Sequence, residues 1–501
     1  MDKECLKAFN TNIIKWYSFK GNSKILCVNA NEAVINFLSK KNLDVTVYKA
    51  DESIKSVYDY ILICDYEKIG KTVLKVKKFL SEQGKLLIFG KNNFSLNDFC
   101  RYDLNEKTGI SSLSEASKTF SDVKNERKNC GFERINRFYV FPNCFSTELI
   151  LNEKLENPSG YLDKFTPEIL DNEIKVFDEI KALKALTENS AEMLDIFADS
   201  YFAEASLKND FSDEKYVSFN NCRKEKYRLM TIIRENRVEK YPAEEAAREH
   251  IYNIGKTIDD LKSYEDIKII DNFEKDFISS EFIKNYPLLD GILAEHYNDF
   301  DFITDILNRL RNVLLKYSQR YSMKIRKIFP DKDKEMLKKL HYMPKCPWDM
   351  VAKNCFYNKD DGTFIFFDQE WECDFLPAEF LIYRSVINSY ELVKKIDVDL
   401  LLKKLGIFEF KDFFSEIDGN LRKEIIDENI LKAEQSSVKG IDNLINDNLS
   451  LLEDLKNKNV YIKNLEQYAE NLKNDNENKQ QYILNLENML KQKEGVSEYE
   501  F

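Results

Sequence analysis

The chain has three histidines, and its ten cysteines form no Cys-x-x-Cys pair. Zinc centres are built largely from these two residue types, so none stands out, and free thiols in a reducing compartment are the plain reading. Excess positive charge is also lacking. The formal charge of −12 excludes a general phosphate-backbone binder, and no nucleic acid is expected among the partners. No apolar run reaches membrane-spanning length, and residues 1–10 lack the apolar centre of a signal peptide. A soluble, cytoplasmic protein is expected, with peripheral placement at the inner face of a membrane as its one membrane association. Glycine is scarce as well. There are 14 in 501 residues and none from Tyr161 to Ile254, so a Gly-rich phosphate loop is missing there.

The segments that are present imply several domains, since 501 residues exceed one ordinary core. Lys24 to Val28, Val45 to Tyr48, Tyr60 to Ile63 and Lys85 to Phe89 read as short buried strands. Helical stretches at Glu32 to Lys40 and Val73 to Leu80 alternate with them. That alternation predicts a parallel, doubly wound sheet over residues 1–155, closed by a hairpin between Phe132 and Leu151. Residues 156–199 read as an acidic helical linker. Residues 200–440 read as a small sheet-bearing lobe followed by a helical lobe.

From Leu444 the composition turns rich in Asn, Lys and Glu, with neither Pro nor Gly until Gly495. Leu455, Ile462, Ala469, Asn476, Ile483 and Leu490 fall seven apart. Leu444, Leu451, Leu465, Leu472 and Leu486 fill the second seam position, interrupted by Lys458 and Lys479. This predicts a coiled coil over 441–495 and a homo-oligomer held by it, with a helix packed back on the body as the alternative.

The chemistry is concentrated in two runs, Cys346 to Asn354 and Thr363 to Trp371. Phosphoryl transfer needs a carboxylate near the attacking hydroxyl, plus an amide and a second carboxylate to hold magnesium. Asp349 and Asn354 have the spacing that puts base and metal ligand on one loop. Asp368 ends an apolar strand after the Asp360-Asp361-Gly362 turn. Tyr216 to Phe219 and Tyr227 to Ile233 read as paired strands joined by a polar loop, whose Arg223 and Lys224 could hold phosphates by charge. Lys240, on a third strand, would reach the donor phosphates. Glu245, with Glu249 as second choice, would be its partner from the following helix. Ser280 to Ile283, with Glu281 and Ile283, resembles a hinge whose backbone would meet adenine.

Two resemblances sharpen this reading. Residues 24 to about 155 resemble the class I S-adenosylmethionine-dependent methyltransferases, through the Leu-Leu-Ile strand after Gly84 and the Phe141-Pro142-Asn143 stretch. The family's first turn is Gly-x-Gly-x-Gly, and those positions are Asn29, Asn31 and Ala33 here. Its ribose-holding acid falls at Lys49, with Asp51 close by. The expectation is a scaffold that kept its sheet and does not bind S-adenosylmethionine (SAM).

The runs Phe367 to Trp371, Phe375 to Pro377 and Phe380 to Arg384 resemble the kinase half of bacterial bifunctional methyltransferase–kinase proteins of surface-polysaccharide synthesis, of the O-antigen chain-terminator type. Pro347 stands where many kinases have His, and Glu370 where the Gly of Asp-Phe-Gly would be. The resemblance implies an α/β Rossmann-like methyltransferase-type domain, an α+β protein-kinase-like domain and a C-terminal coiled coil. It implies ATP and Mg2+ as cofactors, a glycan or lipid-linked sugar hydroxyl as acceptor, and a glycosyltransferase as partner. A working SAM-dependent methyltransferase and an inactive scaffold that recruits glycosyltransferases are the competing readings.

Overall fold

The computed structural model describes residues 11–49, 56–64, 69–92, 94–103, 131–132, 134–167, 173–188, 190–208, 210–428 and 441–497. Strands β1 (Lys24–Val28), β2 (Asp44–Val47), β3 (Tyr58–Ile63) and β4 (Leu80–Lys91) run parallel in the order β2-β1-β3-β4. The apolar runs behave as strands buried on both faces should. Leu26 and Val28 enter one core, while Ile25 and Cys27 enter the other. Helix α1 (Glu32–Lys40) covers one face, and its N-terminus is capped by Asn31, which accepts from the Val34 N–H at 2.9 Å. Helix α2 spans Ile69–Val76.

β5 (Arg101–Asp103) forms a separate ribbon with β8 (Glu173–Lys175). The expected hairpin is present as β6 (Ile135–Phe141) and β7 (Leu149–Asn152). β9 (Ser200–Ser206) lies antiparallel between β4 and β6. The arrangement is Rossmann-like, with β7 and β9 reversed. The domain limits therefore fall elsewhere than the sequence suggests. β9, expected to open the second domain, is central to the first sheet. The 156–199 segment is likewise no bridge. Leu162, Phe165, Leu183 of helix α3 (Glu179–Thr187) and Leu194 sit in the core of that same unit.

The sheet does not stop there. β10 (Tyr216–Phe219) pairs with β7, followed by β11 (Leu229–Ile233) and β12 (Arg237–Pro242). After β13 (Lys268–Ile269), β14 (Asp271–Glu274) and β15 (Phe277–Glu281) complete an edge ordered β12-β15-β14. Twelve strands thus form one mixed sheet through both expected domains. Helix α4 (Arg248–Leu261) packs Ile251, Ile254 and Ile258 against Leu229 and Ile278. Gly255 permits that approach, since a Cβ there would lie 2.6 Å from the Phe273 ring.

A third core follows, built around helices α5 (Leu289–Glu295), α6 (Phe300–Lys316), α7 (Ala378–Ile387) and α8 (Lys411–Ile425). Two hairpins cross it. β16 (Tyr342–Pro347) pairs with β19 (Glu372–Pro377), and β17 (Cys355–Tyr357) with β18 (Phe364–Phe366). β13 joins β18 in parallel, which ties the two lobes together.

Helix α9 runs from Ile441 to Ser497. Its apolar leucine and isoleucine seam side chains from Leu451 to Leu490 are exposed, from 42% at Leu486 to 60% at Leu451 and Leu490, so this length does not pack back on the body. Among the described residues, no helix is long and apolar enough to cross a membrane.

Candidate functional site

The two chemistry-bearing runs meet at the junction of the lobes. Lys240 projects from β12, and its ammonium pairs with the Asp368 carboxylate and with Glu370 Oε1 at 2.5 Å. Arg223, from the loop between β10 and β11, bonds the other Glu370 oxygen at 2.6 Å and lies over the Trp371 ring. Burial alone would raise the Glu370 pKa. The Arg223 and Lys240 charges override it and hold this carboxylate well below its usual range. His250 of α4 packs on Trp371 at 4.4 Å between ring centroids, and burial lowers its pKa to about 4.

Asp368 adopts φ of +62°, an uncommon conformation for a non-glycine residue, which turns the chain directly after β18. Two contacts fix this turn. Buried Asp271 accepts the Gln369 N–H at 3.3 Å, and the Phe367 N–H bonds the Asn354 carbonyl at 3.1 Å. Asp349 lies on the facing loop, 8% exposed. Burial raises its pKa and Arg384, with a guanidinium nitrogen 3.6 Å away, pulls it back. The result is a carboxylate poised to accept a proton, in a pocket that otherwise disfavours its charge.

The structure thus gathers Lys240, Arg223, Asp349, Asn354 and Asp368, but corrects several expected roles. Glu245 is exposed and pairs with Arg248, so it is not the partner of Lys240. Glu370, two residues after Asp368, takes that place. Arg223 is committed to Glu370. The Asn354 side-chain N–H groups donate to the carbonyls of Asp349 (3.0 Å) and Asp368 (3.5 Å), so this amide ties the loop to the strand. Lys240 pairs with the carboxylate of Asp368, one of the two expected magnesium ligands. Among the described residues, no group of three or more His, Cys, Asp or Glu could hold a metal ion. Glu281 ends β15, and Ile283 lies just beyond, where the chain leaves the sheet for α5.

Sequence reasoning passed over Asp271, His250 and Asp418, which come from other elements and have no spacing relation to either run. Glu370 and Arg384 were visible in the runs but not as partners.

In the first sheet, Asn29 and Asn31 form the turn after β1, while Lys49 lies exposed beyond β2. Asn29 has φ of +57°. Asparagine tolerates this left-handed conformation, so the turn keeps a backbone shape usually left to glycine. Ala33 instead faces a cleft of about 850 Å³ between α1 and β12, lined also by Phe37, Lys15, Tyr241 and Glu245. Asp51 lies outside the described residues.

At the carboxyl ends of β4 and β6, a second polar cluster borders a cavity of about 180 Å³. Asp199 accepts from Ser95 Oγ at 2.5 Å, and Glu179 from the Asn97 amide at 2.7 Å. Burial raises both carboxyls.

No family model matches the chain, and no curated protein matches it. Solved structures do. A phosphoethanolamine N-methyltransferase 2 of Haemonchus contortus, solved with S-adenosylhomocysteine, is 13% identical with a TM-score of 0.23, over 41% of this chain and 52% of that one. A SAM-dependent methyltransferase of Archaeoglobus fulgidus is 14% identical, TM-score 0.25, over 41% and 94%. A possible histamine N-methyltransferase of Thermotoga maritima is 11% identical, TM-score 0.22, over 40% and 92%. The chain spans about half the length of the Haemonchus enzyme. At these TM-scores the likeness carries no argument about activity.

The expected cofactor set, ATP and Mg2+ without SAM, does not stand. The similar structures are SAM-type methyltransferases, some holding SAM or its product. Of the three positions where the family has glycine, Asn29 adopts the positive φ that glycine would supply.

Proposed function

We propose that this chain is a transferase that moves a phosphoryl group to a hydroxyl at the Lys240–Asp349–Asp368 site. The observation that carries the reading is the convergence of a strand lysine, a buried loop carboxylate and a left-handed aspartate from three distant segments. Asp349 takes the hydroxyl proton as the new P–O bond forms and the donor's P–O bond breaks. Lys240 moves from Asp368 to the donor's phosphate oxygens. The resemblance of residues 367–384 supports a sugar hydroxyl of a surface glycan as acceptor and a glycosyltransferase as neighbour. The test offers labelled phosphoryl donors of several chemical classes and oligosaccharide acceptors to the full chain. Label on the sugar is expected, and none on any acceptor would overturn the reading.

Methyl transfer from SAM at the first sheet is a second reading, favoured by the Asn29 turn. Asn31 and the start of α1 would face the ligand at the end of β1, where open α/β sheets bind theirs. At a hundredfold excess over Kd, SAM is expected to stabilise the chain by about 2.7 kcal/mol, read as a thermal shift. An unchanged melting curve at millimolar SAM would remove this reading.

Self-association through α9 completes the proposal. Its exposed seam needs a partner, and the Asn476, Lys458 and Lys479 interruptions favour a low-order oligomer. Light scattering on the full chain should give a dimer or trimer. A monomer at high micromolar concentration would refute it.

A further inference from the structure

Asp349 sits on a loop, and loop carboxylates are held no better than their neighbours hold them. Among the described residues its ion-pair neighbour is Arg384 of α7, 3.6 Å away and 4% exposed at its side chain. The guanidinium is fixed on every side. Its Nε donates to Asp418 at 2.8 Å, one terminal nitrogen donates to the Trp348 carbonyl directly before Asp349, and its plane lies 4.4 Å over the Trp348 ring. Asp418 is held in turn by Arg422 at 2.7 Å. Ser385, the next residue, accepts the Ala352 N–H at 3.1 Å, so α7 grips the loop on both sides of Asp349.

Helix α8, which supplies Asp418, also reaches the other lobe. The Lys224 N–H bonds the Ile425 carbonyl at 2.8 Å, and the Asp427 N–H bonds the Cys222 carbonyl at 2.9 Å. These contacts hold the loop that carries Arg223, and hence Glu370 and Lys240. One helix therefore braces both halves of the site.

We infer that Arg384, anchored by Asp418 of α8, is the positioning residue that sets Asp349 against the acceptor hydroxyl. This rests on the phosphoryl-transfer reading. A planar guanidinium can meet Asp349, Asp418 and a carbonyl at once, whereas an ammonium is a point charge that cannot fill all three places. The carboxylate and the scissile bond must align within about an ångström, and a displacement of that size costs on the order of 100-fold in rate.

The experiment measures transfer by the full-length protein and its Arg384→Gln, Arg384→Lys and Asp418→Asn variants, with melting temperature and donor binding as controls. Arg384→Gln is expected to lower kcat by on the order of 100-fold with the donor KM unchanged. Arg384→Lys, which keeps the charge, should recover part of that loss. Asp418→Asn, which leaves Arg384 in place but loosens it, should lie between wild type and Arg384→Gln. Equal kcat in wild type and the Gln variant would overturn the inference. So would a loss in all three variants that follows melting temperature alone. A wild-type protein without transfer would instead sink the phosphoryl-transfer reading itself.

Discussion

Replacing Asp349 with asparagine is expected to lower phosphoryl transfer by roughly 100- to 10,000-fold, the usual range for a positioned acid or base. Asparagine fills the same space but cannot accept the hydroxyl proton. Donor binding should persist, because the residue placed to meet phosphate is Lys240 on the opposite lobe. The fold should persist as well. The loop is anchored through main-chain groups of Trp348, Asp349 and Ala352, which the substitution leaves untouched. Transfer kinetics together with equilibrium donor binding separate these effects. A variant with wild-type kcat would remove Asp349 from the chemistry, and one that also lost donor binding would show that the loop has collapsed.

The second large effect is on stability. The Glu370 side chain is 4% exposed and stands between Lys240 and Arg223. Lys240→Ala removes one of its two cations and leaves a buried charge half-compensated, a change that costs about 3 kcal/mol. Trp348 and Trp371 flank the site, so their fluorescence follows the relevant denaturant transition. The pH dependence has a definite sign. Glu370 is depressed in the folded chain, so its stabilising contribution is complete above the ordinary value of 4.5 and is lost as pH falls through the folded value. The gap between wild type and Lys240→Ala should therefore narrow in acid. Adding Glu370→Gln to Lys240→Ala should recover part of the loss, with a coupling of about 0.5–3 kcal/mol. Strict additivity of the two substitutions would mean that the pair is not energetically linked.

Residues 24–89 were legible because strands buried on both faces must be continuous apolar runs, and Ile25 to Val28 or Tyr60 to Ile63 have no polar position to hide. The helix at Glu32 to Lys40 was placed to the residue by the same contrast. Asp349, Asn354 and Asp368 stood out by their spacing along the chain, and the fold brings the three together.

Other features had no local signal. Ser200 to Ser206 reads as a strand of either domain, and its place between β4 and β6 depends on hydrogen-bond partners more than 60 residues away. The missing glycines suggested a turn that does not hold SAM, yet Asn29 reaches the positive φ that glycine would supply. The partner of Lys240 was sought on the following helix, where Glu245 turns out to face solvent. Folding brought Glu370 there instead, because the lysine and the glutamate are both set by a closed core, and a buried charge takes whichever counter-charge the packing delivers. The sequence by itself determined the parallel strands of residues 24–89 and marked the runs around Asp349 and Asp368. The tertiary structure decided which of those side chains face one another, since that depends on contacts that close loops of more than a hundred residues.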